Sequence, residues 1–138
     1  MDPNKTARIE QIVCECNLSL SEFADALSSM VGISAMEHDS ENESEWASTT
    51  FGALVVSLSR SFDPHQLHEW YPQSPLGCNY SLTLVWSDEA LADGLEQEVS
   101  ALVPSYASAL SGICGGPAYH IRTWTKKGNV TRAATYSE

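Results

Sequence analysis

The stretch EWASTTFGALVVSLSR, residues 45–60, decides the fold class of this chain. It is rich in threonine, valine and aromatic residues, which favour strands, and Gly52 divides it into two segments of strand length. We therefore predict two consecutive strands that meet or bulge near Gly52. Strands that follow each other without an intervening helix favour an antiparallel sheet.

Helical patterns lie on both sides of this strand pair. Ser19 and Glu22 form a capping box at the start of residues 19–31, and Gly32 provides a stop signal. A second helix is predicted after Ser87, with Pro104 expected to kink it or end it early. The apolar positions at helical spacing are Leu20, Phe23, Leu27, Met30 and Val31 in the first helix, and Leu91, Leu95, Val99, Leu102, Val103, Tyr106 and Leu110 in the second.

The remaining segments complete an α+β pattern. Residues 80–86 and 118–124 are predicted strands, residues 129–136 a last edge strand, and residues 61–79 a long ordered loop. Residues 7–16 fit a strand about as well as a short helix, and we assign a strand. The predicted order is β-α-β-β-β-α-β-β. It implies one domain over residues 1–138, with a mostly antiparallel sheet of about five to six strands and two amphipathic helices on one face.

Composition and charge bound the class of protein. The 138 residues are 43% hydrophobic and 18% charged, as in a folded domain. The first residues lack the pattern of a secretory signal, so we expect a cytoplasmic protein whose four cysteines are thiols. The net charge is −11, and residues 1–70 carry 12 acids against 3 bases. Such a surface repels nucleic acid and attracts basic partners.

The acidic stretch EHDSENESEW, residues 37–46, is the first candidate site. Asp39, Glu41, Glu43 and Glu45 alternate, but the glycine of a calcium-binding EF-hand loop is absent. The stretch is therefore either a solvated loop or an anionic surface for a basic cleft, with Trp46 as an aromatic anchor beside it.

The loop HEWYPQSPLGCNY, residues 68–80, is the second candidate. It places Glu69, Trp70 and Tyr71 beside prolines that stiffen the backbone. These aromatic residues either cover the end of the sheet or form part of an interface.

Metal and catalytic motifs are not found. His65 and His68 lack the spacing of zinc-protease ligands, and Cys14 and Cys16 are too close for a zinc knuckle, so no metal or other cofactor is predicted. His120 alternates with Arg122 and Trp124 on one predicted strand face, without a partnered nucleophile. We assign no catalytic residue. A small-molecule-binding domain or small enzyme with a pocket near His120 and Arg122 is kept as an alternative.

The succession DSENESEW, GALVVSLSR, PLGCNYSLTL and HIRTW, between the capped helix and residue 124, resembles small acidic immunity proteins that bacteria encode beside polymorphic or secreted toxins. The resemblance implies a non-enzymatic cytoplasmic inhibitor, monomeric or dimeric, that binds its cognate protein toxin and covers a basic active-site cleft. It implies binding to neither nucleic acid nor membrane. A phage-type inhibitor of a host nucleic-acid-binding defence protein would show the same acidity. The predicted partner-binding residues are Asp39, Glu41, Glu43, Glu45, Trp46, Glu69, Trp70 and Tyr71.

Overall fold

The computed structural model describes residues 6–32, 36–40, 44–51, 54–61, 63–87, 96–125 and 128–136. The described strands are β1 (Thr6–Cys14), β2 (Glu37–Ser40), β3 (Ser44–Phe51), β4 (Leu54–Ser61), β5 (Tyr80–Ser87), β6 (Ala118–Thr125) and β7 (Gly128–Tyr136). The described helices are α1 (Leu20–Val31), α2 (Pro64–Trp70) and α3 (Glu96–Cys114).

All seven described strands join one antiparallel sheet in the order β2-β3-β4-β5-β1-β6-β7. The predicted α+β class with an antiparallel sheet is confirmed, and β7 lies at an edge as expected. Residues 7–16 are a strand to Cys14, because β1 pairs with both β5 and β6. Pairing on two sides places this segment inside the sheet, where its short and irregular apolar pattern is stabilised by its neighbours.

Strand β2 is the seventh strand and was not predicted. Residues 37–40 fall in the stretch that the sequence suggested to be a loop, yet they pair with residues 45–48 of β3. All four β2 residues are exposed, so no alternation of apolar and polar side chains marks them as a strand. Tertiary pairing with β3 overrides their low strand propensity.

Helix α2 corrects the prediction of a long loop over residues 61–79. The side chain of Asp63 accepts a hydrogen bond from the backbone N–H of His65, and Pro64 occupies the first turn. An N-cap aspartate followed by proline is a helix start signal. The prolines later in the stretch concealed this signal, because they favour turns.

Helix α1 confirms the predicted caps. Ser19 Oγ accepts from the Glu22 backbone N–H, the Glu22 carboxylate accepts from the Ser19 N–H, and Gly32 ends the helix at a φ of 73°. The ring of Phe23 meets that of Tyr80 edge to face at 4.6 Å between centroids. Burial raises the pKa of Tyr80 to about 12, so its hydroxyl stays protonated and donates to the carbonyl of Leu18 at 2.5 Å. These contacts hold α1 on β5.

Helices α1 and α3 contact each other and pack on the same face of the sheet, as predicted. Their apolar sides bury Phe23, Leu27, Tyr106 and Leu110 against that face. We call it the helix-covered face. Its core strand residues include Ile12, Cys14, Ala47, Val56, Leu58, Leu82, Leu84, Trp86 and Ala118.

Helix α3 continues through Pro104, contrary to the expectation of an early end. Pro104 is exposed, so the bond lost by its missing N–H lies on the outer side of the helix. The part of the predicted apolar stripe before residue 96 lies outside the described residues.

The second face of the sheet carries a smaller core. Leu67 of α2 and Cys78 pack there against Val13 and Ile121, with Tyr71 and Tyr119 beside them. Helix α2 therefore lies on the side opposite α1 and α3, at one end of the sheet.

The capping box yields a stability test. Ser19→Ala removes the hydroxyl that accepts the Glu22 N–H, and we expect it to lower the free energy of unfolding by about 1 kcal/mol. Ser21→Ala, at an exposed position in the first turn, should change it by less than about 0.5 kcal/mol. Urea unfolding followed by circular dichroism measures both, and equal effects would show that the cap contributes nothing.

Candidate functional site

Two exposed acidic side chains lie on β2, at one edge of the sheet. Asp39 pairs with Trp46 across the β2–β3 ladder, so the two side chains share one face. Glu37, two residues before Asp39, lies on the same face. We call Glu37, Asp39 and Trp46 the acidic edge. The predicted contacts Glu41 and Glu43 lie outside the described residues.

Glu45 is separated from the acidic edge by the strand alternation. It pairs with Arg60 in the β3–β4 ladder, two positions from the core pair Ala47 and Leu58, and therefore lies on the helix-covered side. Its Oε1 is 3.6 Å from Nη1 of Arg60, whose guanidinium lies 5.8 Å from the centre of the Tyr80 ring. Glu45 thus already has a cationic neighbour and lies on the other side of the sheet from Asp39 and Trp46, and its predicted role as a partner contact stays a prediction.

Asp39 and Trp46 begin a row of paired residues that crosses the second face. The strand register places Ser59 of β4 beside Trp46, and Ser81 of β5 beside Ser59. A neighbouring row runs from the acidic edge to β6 and is mainly polar. Its members are Glu37, Ser48, Ser57, Thr83, Gln11 and Arg122.

A third row on the same face is apolar and partly exposed. Its four central residues are Val55, Val85, Ile9 and Trp124, and the polar residues Thr50 and Asn129 lie at its ends. Val55 is 40% exposed, and the other three central residues are half-buried. We call the three rows together the open sheet face. Its residues on β2, β3 and β4 are exposed or half-buried, whereas Gln11 of β1 and Ser81 of β5 are buried, with Gln11 Nε2 donating to Ser81 Oγ at 2.7 Å.

The predicted contacts Glu69, Trp70 and Tyr71 lie at the end of α2, on the same side of the sheet as the open face. Glu69 is exposed and Trp70 is 45% exposed, whereas Tyr71 is half-buried against the smaller core. Tyr71 therefore covers part of the sheet, as one of the two interpretations predicted, and an interface at Glu69 and Trp70 stays a prediction.

A β-bulge in β6 overturns the expectation that His120, Arg122 and Trp124 share a face. Ile12 pairs with His120 and the preceding Gln11 pairs with Arg122, so Ile121 is the extra residue. His120 therefore lies on the helix-covered face. Arg122 and Trp124 lie on the open sheet face. His120 and Arg122, which were expected to line one pocket, are therefore on opposite sides of the sheet.

His120 belongs to a buried polar cluster that the sequence did not reveal. The cluster consists of Arg8, Glu10, His120 and Thr123, and the Glu10 side chain is fully buried. Glu10 Oε1 is 2.7 Å from His120 Nε2 and accepts a hydrogen bond from Thr123 Oγ1 at 2.6 Å. Its Oε2 accepts from Arg8 Nε at 2.5 Å.

The cluster favours the ionised form of Glu10. Burial acts to raise the pKa of this carboxyl, but the hydrogen bonds from His120, Thr123 and Arg8 outweigh it and hold the pKa below its ordinary value of 4.5. Since His120 is only 4% exposed and its Nε2 faces Glu10, the imidazole is enclosed in the core. This arrangement surrounds a buried charge with hydrogen-bonding groups.

The residue alternation in RIEQ, residues 8–11, is the signal that could have located the cluster. Arg8 and Glu10 share a strand face with Ile12 and Cys14. Charged residues on the core-facing side of a strand are rarely buried unless they are paired, so Arg8 and Glu10 predict a further polar partner in the core. The signal was ambiguous because Ile9 and Val13 occupy the opposite face, so the apolar residues do not select one side.

The histidines and cysteines do not form a metal site in the part of the chain that the structure describes. No group of three or more His, Cys, Asp or Glu side chains is arranged there to hold an ion. His65 is exposed, and His68 Nδ1 lies 2.6 Å from the carbonyl oxygen of Ser74. Within the same described ranges, no helix is long and apolar enough to cross a membrane.

Comparisons of this chain with protein-family models, with curated proteins and with solved structures found no match. The resemblance to immunity proteins and the partner-binding role of the acidic edge therefore stay predictions.

The buried carboxylate yields a pH-dependent prediction. Glu10→Gln removes the charge that faces Arg8, and we expect it to lower the free energy of unfolding by about 3 kcal/mol at pH 7. Because the folded-state pKa of Glu10 is lowered, its stabilisation is present above the unfolded-state pKa and is lost as the pH falls through the folded-state value. The difference between wild type and variant should therefore shrink below about pH 4.5.

Urea unfolding from pH 3 to pH 7 measures this difference. Glu15→Gln, at the exposed position just after β1, is the matched control and should follow the wild-type curve. A Glu10→Gln penalty that stays constant over the whole range would contradict a lowered pKa.

Proposed function

We propose that this protein is an immunity-type inhibitor that binds one cationic protein partner, such as a cognate toxin, and covers its basic cleft. The observation that carries the proposal is the acidic edge, where Glu37 and Asp39 are exposed on the same sheet face as Trp46. A partner with a basic cleft provides the charges that complement this surface.

Charge supports association with such a partner. The chain has a net charge of −11, and the acidic edge concentrates carboxylates on an outer strand. A field of this sign accelerates the approach of a basic protein and repels nucleic acid, so the inhibitor would compete at a cleft that binds phosphates.

Rigidity supports affinity. Trp46 lies between its register partners Asp39 and Ser59 on a strand that is paired on both sides, and it is half-buried. An aromatic side chain on a paired strand loses little conformational entropy when it is covered by a partner. The half-buried hydroxyl side chains Ser57, Ser59 and Thr83 on the same face can then form polar contacts at the rim.

The pocket alternative is weakened by the position of its residues. His120 is enclosed with Glu10, and Arg122 lies on the other side of the sheet. A small-molecule site that uses both side chains would require β6 to change its register. A toxin and a nucleic-acid-binding defence protein would meet the same acidic surface, so the identity of the partner separates these two inhibitor classes.

Affinity capture from the native cells tests the proposal. The tagged protein is used as bait, the co-purifying protein is identified, and its binding is titrated at two salt concentrations. One tight partner with a basic active-site cleft and salt-sensitive association supports an inhibitor. Recovery of a small molecule without a protein partner would overturn the proposal.

The acidic edge yields a kinetic prediction. Asp39→Lys should slow association with the captured partner by about fivefold at low salt, with a smaller effect at high salt, because it weakens electrostatic steering. Asp25→Lys makes the same charge change at an exposed position of α1 and should have little effect. Surface plasmon resonance measures both rates. Equal slowing by both variants would assign the effect to net charge and not to this edge.

Trp46 yields a prediction on dissociation. Trp46→Ala should weaken affinity by about 30-fold, mainly through faster dissociation, if the indole is a central anchor. Trp70→Ala removes the exposed tryptophan of α2 and shows whether the interface extends to that helix. Thermal unfolding of each variant excludes a folding defect. Wild-type dissociation from Trp46→Ala would place the interface elsewhere.

A further inference from the structure

A cavity of about 300 Å³ lies where three loops meet at one end of the sheet. The first loop follows β1 and carries Glu15 and Asn17, the second is the segment 75–78 before β5, and the third is the turn 114–117 between α3 and β6. Tyr119 of β6 completes the wall. Three strands separate β1 from β2, so this cavity is distinct from the acidic edge.

The first loop is fixed by hydrogen bonds to one asparagine. Asn79 Oδ1 accepts from the Cys16 N–H at 2.9 Å, and Asn79 Nδ2 donates to the Cys16 carbonyl oxygen at 2.9 Å. The backbone N–H of Asn79 donates to the carbonyl oxygen of Cys14 at 3.1 Å. Glu15 and Asn17 flank Cys16 and have exposed side chains, so the bonds to Asn79 hold both residues in position at the cavity.

The third loop is fixed by Ser111, a buried residue in the last turn of α3. The Gly115 N–H donates to the Ser111 carbonyl oxygen at 2.9 Å, and Ser111 Oγ donates to the carbonyl oxygen of Gly116 at 2.7 Å. A Cβ atom at Gly115 or Gly116 would meet no atom within 4 Å. Open space therefore adjoins a wall whose backbone is held in place.

The carboxylate of Glu15 supplies a negative charge that no neighbouring cation balances. It approaches the second loop at Gly77, where a Cβ atom would lie 2.9 Å from Glu15 Oε2 and where φ is 99°. Burial and then this carboxylate raise the pKa of the Cys78 thiol in the cavity wall to about 11. The described lining contains no Lys, Arg or His, and Glu15 forms no ion pair with the described residues.

Apolar groups make up much of the remaining wall. Leu76 is 67% exposed, Pro117 is also exposed, and Pro75 and Tyr119 are half-buried. The carboxylate disfavours phosphates and other anions, and it attracts a cation. The volume is at the lower end of the range for small-molecule sites, which suits a short aliphatic chain. A ligand that matches both properties is an ammonium group on such a chain.

We propose that this cavity binds the ammonium group of a short aliphatic amine, with Glu15 as the counter-ion, Asn17 beside it, and Leu76 and Tyr119 against the aliphatic chain. A free amine and a lysine side chain of another protein present the same chemistry. The site depends neither on the acidic edge nor on the proposed inhibitor function.

Nuclear magnetic resonance titration of the isotope-labelled full-length protein tests the proposal. Pentylamine represents a free amine, N-acetyl-lysine methylamide represents a lysine side chain, and pentanol is the neutral analogue. We expect saturable shifts at the amides of residues 15–17, 76–78 and 115–119, with a Kd on the order of 1 mM for the better amine. The amine that saturates at the lower concentration identifies the source, and pentanol should bind more weakly than either.

Glu15→Gln should weaken binding of both amines by about fivefold and leave binding of pentanol unchanged. Asp25→Asn removes the same charge at an exposed position of α1 and should bind as wild type. Glu15 is exposed, so its variant is expected to fold, and its unfolding curve checks this.

Three results would overturn the proposal. Equal weakening by Glu15→Gln and Asp25→Asn would show attraction by net charge alone. Binding of pentanol as tight as that of pentylamine would show an apolar cavity without a cation site. Shifts that do not saturate, or that fall outside the three loops and β6, would show that the cavity does not hold the amine.

Discussion

The carboxylate of Glu10 is fully buried in the sheet, and the local structure around it depends on supplying its hydrogen bonds. Arg8 on the same strand and His120 and Thr123 on β6 surround it. His120 and Thr123 are three residues apart, so a regular strand would direct them to opposite faces. The bulge at Ile121 turns both toward Glu10. The bulge and the β1–β6 register therefore act together, since loss of either would remove the hydrogen bonds of His120 and Thr123 from a carboxylate buried in the core.

This constraint also gives the two faces of the sheet different roles. The helix-covered face holds the main core and encloses His120. The bulge places Ile121 under α2 and Arg122 on the open sheet face, where it ends the polar row that begins at Glu37. Glu37 and Asp39 of β2 therefore lie on the open side of the sheet, whereas His120, one of the two residues that suggested a pocket, is enclosed with Glu10 in the main core.

Sequence signals within a few neighbouring residues predicted helix α1 and the strand pair β3–β4. Ser19, Glu22 and Gly32 predicted both ends of α1, and the strand pair of residues 45–60 was located with its division near Gly52. Strand β2 was missed because its four residues are all exposed and become a strand only by pairing with β3. Helix α2 was missed although Asp63 and Pro64 mark its start, because seven residues contribute little helical pattern. Within the candidate site, Asp39 and Trp46 were predicted, whereas the opposite orientation of Glu45 required the register with β4.

The sequence by itself determined the α+β class, the antiparallel strand run, the excess of acid in residues 1–70 and the cap residues of α1, because these depend on composition and on spacing over a few residues. Only the tertiary structure decided which side chains meet across strands. It brought Arg8 and Glu10 to His120 and separated His120 from Arg122. Each of these contacts depends on the register of distant segments, and a shift of one residue would direct every side chain of a strand to the other face.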